Sequence, residues 1–267
     1  MKQLSPGRHQ TREEGMSLLE AVAYLSGEPH THEPQSVCPV LGAFGECLEE
    51  EIFPSDLDEL LPYAAKLVGT RGTSDTEQRR AYHFADRAVR EFAPIVLEVA
   101  GYGEMASELQ SLAQVCDVST ALLALQAAKE SEAWSVAQSA SRQAALQQGR
   151  MAKAAILGGL PGAAEMMRAA EVAQETAWSW RPEHTAILRA KNAVSKAQAA
   201  QRTLTEMDAG GAEPERLAEH AYHLRISVAK DTCASVFWAY RSMREPRSYK
   251  RLRLLALATL DAAIDLK

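Results

Sequence analysis

At 267 residues, 46% of them hydrophobic and 24% charged, the chain can bury a core of its own without disulfide or metal staples. A net charge of −6 disfavours general binding to nucleic acid or to an anionic membrane. The four cysteines, Cys38, Cys47, Cys116 and Cys233, fit neither a zinc ribbon nor a disulfide framework and imply a reducing, cytoplasmic setting, and no run approaches the ~18 apolar residues of a membrane span.

Residues 1–15 are polar and unpatterned and read as a disordered tail. Leu18, Leu19, Val22 and Leu25 then recur at helical spacing up to Gly27, predicting a first helix over 11–26. A proline-bounded loop over 28–34 leads into a helix from Cys38 to Glu51, with Val40, Leu41, Phe44 and Leu48 inward and Pro54 beyond its end. Ser55 is expected to cap the next helix, with Asp56 and Asp58 in the first turn where the helix dipole favours anions, and Leu60, Leu61, Ala64 and Leu67 buried. Ser74-Asp75-Thr76-Glu77 has capping-box spacing, and Tyr82, Ala85, Val89, Phe92 and Val96 carry a long helix to Ala100, with a kink expected at Pro94. A shorter helix over Glu104 to Val115 and a cap at Asp117 or Ser119 complete an N-terminal part, 16–117.

From Val118 to Met207 about a quarter of the positions are alanine, well above ordinary usage. Strong helix formers fill the stretch, and its breakers gather at Gly158 to Gly162 and at Arg181-Pro182. The spacing predicts one or two helices before Gly149, a short helix over 150–156, another over 163–179, and a striped helix over 183–207 carrying Ile187, Ala190, Val194, Ala197, Leu204 and Met207. After Gly210-Gly211, Pro214 opens a helix to about Arg244, and Tyr249 to Leu266 forms the last one. Nothing alternates with period two. The fold class is therefore all-α, an irregular multi-helix bundle or a stacked antiparallel helical array, with the alanine-rich part, 118–267, packed as one unit.

Four groups of residues carry candidate chemistry. Glu219, His220 and His223 share a helix at spacing that lets side chains converge on a metal, although a di-metal bundle needs a second such motif on a facing helix. His30, His32, Cys38 and Cys47 are zinc-compatible types at a spacing that matches no usual zinc site. Glu46, Glu49, Glu50, Glu51, Asp56, Asp58 and Glu59 form an acidic cluster, either a solvated face or a docking surface for a basic partner. Arg241, Arg244, Arg247, Lys250, Arg251 and Arg253 form the opposite cluster, able to grip a polyanion or to meet the acidic helices within the fold. Trp134, Trp178, Trp180 and Trp238 lie among alanines and read as core. No phosphate-loop, nucleophile-elbow or metalloprotease string is present, so no catalytic residue or cofactor is assigned.

The segments Ala121-Leu-Leu-Ala-Leu-Gln-Ala-Ala128 and Ala193-Val-Ser-Lys-Ala-Gln-Ala-Ala200 resemble the alanine-rich helical immunity proteins of bacterial toxin systems. The resemblance implies a bacterial cytoplasmic protein that binds and neutralises a partner toxin, and it identifies no functional residue. The expected function is thus a non-enzymatic protein-binding protein, with Glu46, Glu49, Glu50, Asp56, Asp58 and Glu59 as its contact surface. A metal-dependent helical enzyme using Glu219, His220 and His223 is the alternative, and a polyanion module through Arg244, Arg247, Lys250 and Arg251 is the third reading.

Overall fold

The computed structural model describes residues 4–99, 101–131, 182–209, 213–243 and 246–266, and within them every regular element is helical. The helices expected within 132–181, with the tryptophans there, lie outside the described residues, as do the side chains of Trp238, Arg241 and Arg247 and the whole of Arg244. In chain order the helices are α1 (Leu18–Ser26), α2 (Pro39–Glu51), α3 (Leu61–Leu67), α4 (Ser74–Arg87), α5 (Ala93–Val99), α6 (Gly103–Gln110), α7 (118–131), α8 (Pro182–Asp208), α9 (Pro214–Met243) and α10 (Pro246–Ile264). Among the described residues no helix is long and apolar enough to cross a membrane.

Alanine fixes the central packing. In α8, Ala186, Ala190, Ala193, Ala197 and Ala200 are buried along one stripe, and α9 packs along α8. Small side chains let two long helices joined by a short link lie close along their length. Charge then sets their register: Asp231 of α9 is buried and takes Arg189 at 2.8 Å and Lys196 at 2.5 Å from α8. The larger side chains sit where α2, α4 and α9 converge, and Phe44 stacks on Phe84 with ring centroids 4.4 Å apart. One apolar cluster runs from Leu4 to Ala263, so the N-terminal and alanine-rich parts share a core.

Several boundaries differ from expectation, each for a local reason. The helix predicted over 11–26 begins at Leu18 because Ser17 and Glu20 form a capping box, the Ser17 N–H donating to Glu20 at 2.8 Å. The segment before it is not a free tail. Leu4 is 3% exposed in the core, the Ser5 N–H donates to the Met16 carbonyl at 2.9 Å, and the His9 N–H and ring both reach the Glu20 carboxylate at 2.8 Å.

The helix expected from Ser55 is split into a 3-10 turn over Pro54–Leu60 followed by α3. Pro62 has no N–H to give the Asp58 carbonyl, which is met instead by Leu61 in the tighter pattern. Thr73, not Ser74, caps α4, accepting from the Thr76 N–H at 3.3 Å. At Pro94 the rod passes through a π turn over Ala88–Phe92, with the Ala93 N–H bonded back to Ala88. That wider turn relieves the clash a proline ring makes with the preceding turn.

Helix α6 stops at Gln110 rather than Val115, because the buried Asp86 takes the Val115 N–H at 2.8 Å and Arg90 donates to the Leu112 carbonyl at 3.0 Å. Asp117 caps α7, accepting from Thr120 at 2.8 Å. At the far end, Arg80 of α4 donates to the carbonyls of Thr70, Ala263 and Leu266 at 2.7, 3.1 and 2.8 Å, filling acceptors that the last turn of α10 leaves open.

Candidate functional site

The acidic cluster divides when folded. Glu46, half-buried, lies between Arg8 at 3.6 Å and Lys230 at 3.2 Å. Glu49 is 4% exposed and accepts the Leu18 N–H at 2.9 Å, so it belongs to the interior and not to a contact face. Burial, reinforced by the neighbouring carboxylates of Glu20, Glu46 and Glu50, pushes its pKa up to about 8. Asp56 and Glu59 both pair with Arg253, the latter at 3.0 Å. The acidic and basic clusters therefore meet inside the molecule at Arg253, and the open carboxylates of the original set are Glu50 and Asp58.

Between those two in sequence stands Phe53, a residue the charge pattern obscured. Its side chain is 48% exposed, yet it is held from below. Its ring centroid is 4.5 Å from that of Tyr249, and its N–H donates to the Tyr249 hydroxyl at 2.8 Å. Tyr249 is buried among Phe53, Phe237 and the Arg253 guanidinium, which lies 5.5 Å from its ring. Burial raises the Tyr249 pKa, keeping the phenol neutral and able to accept that backbone bond. The signal available in the sequence was an aromatic immediately before a helix-stopping proline, between two acidic runs.

The remaining candidates do not assemble. Lys250 and Arg251 are exposed, and Arg251 pairs with Glu98 at 3.9 Å. Glu219 and His223 stand 3.8 Å apart on the outer face of α9, with His220 exposed beside them. His30 bonds the His9 carbonyl at 3.0 Å, His32 pairs with Glu33 at 3.7 Å, and Cys38 is the buried N-cap of α2. Among the described residues no group of three His, Cys, Asp or Glu side chains converges on a point where a metal could sit. No family model, curated protein or solved structure matches this chain.

Proposed function

We propose that this chain is a non-enzymatic helical protein-binding protein that receives a basic partner on the face around Phe53. The observation that carries this reading is a half-exposed aromatic ring on a rigid base, with the open carboxylates of Glu50 and Asp58 near it in sequence. An anchored ring loses little freedom on binding, and covering the exposed half of Phe53 contributes about 1 kcal/mol, roughly half the value of burying a whole side chain. Carboxylates at the rim speed encounter with a cationic surface and reject acidic competitors. The resemblance to immunity proteins makes the partner a toxin and the activity its inhibition. The setting in this reading is the reducing cytoplasm, where Cys38, Cys47, Cys116 and Cys233 remain free thiols.

A photo-crosslinking residue placed at position 53 in the native host tests this. One defined partner should be captured, and Glu50→Lys with Asp58→Lys should weaken its binding by tenfold or more, roughly, for two lost charge contacts. The variants should keep the helical signal and melting temperature of the parent. Once that partner is identified, direct binding to chains without the crosslinker that is unchanged by both the charge reversals and Phe53→Ala rejects this face as the docking surface.

A further inference from the structure

A cleft of about 240 Å³ lies between α2 and α9, roofed by the loop at 32–37, and Phe53 takes no part in it. Leu19, Val37, Gly42, Ala43 and Ile226 give it apolar walls. Gly42 contributes space, since a Cβ there would meet Val37 at 3.4 Å and Leu19 at 3.6 Å.

The polar part of the lining is uneven. Arg8 and Lys230 are both answered by Glu46, at 3.6 and 3.2 Å, and Glu33 by His32 at 3.7 Å. Arg71 differs. Its nearest carboxylate is Glu77 at 4.0 Å, and Glu77 is already held by Arg225 at 2.9 Å. In the same cleft the Tyr222 hydroxyl, like the half-exposed Arg71 guanidinium, has no hydrogen-bond acceptor among the described residues. Both side chains line the same cleft, and burial raises the Tyr222 pKa, so the hydroxyl keeps its proton to donate.

A forked cation and a hydroxyl donor in the lining of one cleft, with apolar side chains in the same lining, define a ligand by chemistry. The fork matches the two oxygens of a carboxylate, and the walls match an apolar body behind it. A phosphate dianion would need more donors than Arg71 and Tyr222 supply, and a neutral molecule would forgo the charge-assisted pair that the half-exposed guanidinium offers. From this we infer that the cleft between α2 and α9 binds a small organic carboxylate, its anionic end on Arg71 and Tyr222 and its apolar body against Gly42, Ala43 and Ile226. The site is independent of the protein-docking face.

Saturation-transfer NMR on the full chain tests the inference, with benzoate, phenylacetate and cinnamate as probes and their primary amides as uncharged controls. At least one carboxylate should bind with a Kd of about 1 mM or tighter, and its amide should bind tenfold more weakly or worse, roughly the value of a charge-assisted pair. Arg71→Gln should weaken that carboxylate by a similar factor, and Gly42→Val should block it by filling the slot. Tyr222→Phe removes a single oxygen and should weaken binding by about threefold or more; it decides the matter if Arg71→Gln loses helicity. Absence of binding by all three carboxylates, equal binding of the amides, or binding indifferent to both Arg71→Gln and Tyr222→Phe overturns the inference.

Discussion

The ion pair between Arg225 and Glu77 joins the middle of α9 to the first turn of α4 across 148 residues of sequence, and its removal offers the sharpest test of how this bundle is held. Arg225 is 3% exposed and Glu77 5%, with the guanidinium 2.9 Å from the carboxylate. Two of the three guanidinium nitrogens, Nε and one terminal nitrogen, have no partner among the described residues, so desolvation of the cation is only partly repaid. Arg225→Met would strand the Glu77 carboxylate with Arg71 at 4.0 Å as its sole remaining cation among the described residues. Stranding a buried charge costs about 3–5 kcal/mol, far more than a surface pair is worth. At about 2–4 °C per kcal/mol for a chain near this size, the melting temperature should fall by roughly 10 °C. Arg225→Met combined with Glu77→Leu removes both desolvation penalties and should recover most of that loss. Urea unfolding followed by the helical circular-dichroism signal measures all four corners of the cycle. A single-variant cost below about 1 kcal/mol, or a double variant as unstable as the sum of the singles, would refute the argument that the pair's importance lies in the charge left behind.

Two further perturbations test the interior of the N-terminal half. Glu49, with a folded pKa of about 8 against an ordinary 4.5, keeps a proton that the unfolded chain releases, so its contribution to stability falls as pH rises through that window, by up to about 1.4 kcal/mol per pH unit. Glu49→Gln retains an acceptor for the Leu18 N–H and removes the titration, so its advantage over the parent in thermal melts should widen from about pH 5 to about pH 8; a constant difference would place Glu49 in solvent. Leu4→Ala should destabilise the chain by about 2–3 kcal/mol in the same denaturation assay, the cost of emptying a buried leucine site, whereas an unchanged midpoint would mean that residues before Ser17 do not pack.

Much of the helical order was legible because spacing and punctuation agreed. Ile187, Ala190, Val194, Ala197 and Leu204 of the striped helix are buried, with Met207 half-buried, and Pro214 opens α9 as its position suggests, whereas α10 begins at Pro246, three residues before the expected Tyr249. The failures cluster where a polar residue turns inward. A helical pattern separates apolar from polar residues; it contains no sign that a carboxylate will find donors brought from elsewhere in the chain. Asp86 and Asp231, both buried, were invisible for that reason, and so was the division of the acidic cluster.

Glu49 shows what the missing information was. One turn before it on α2 lies Gly45, where an added Cβ would stand only 2.8 Å from the Leu18 side chain. A glycine at that position lets α1 press its first residue directly onto α2. The first amide of a helix has no partner within its own helix, and here the close approach leaves the Leu18 N–H beside the next turn of α2, where Glu49 accepts it at 2.9 Å. Glu20 meanwhile accepts the Ser17 N–H at 2.8 Å, so α1 starts on two carboxylates from different helices. A glycine four residues before a glutamate is uninformative until the facing helix is known, and the facing helix is what the apolar spacing leaves undetermined. Substituting Gly45 with alanine would therefore act on α1 through the buried Leu18 methyl, which must turn away or carry the first turn of α1, and with it the Leu18 N–H, off Glu49.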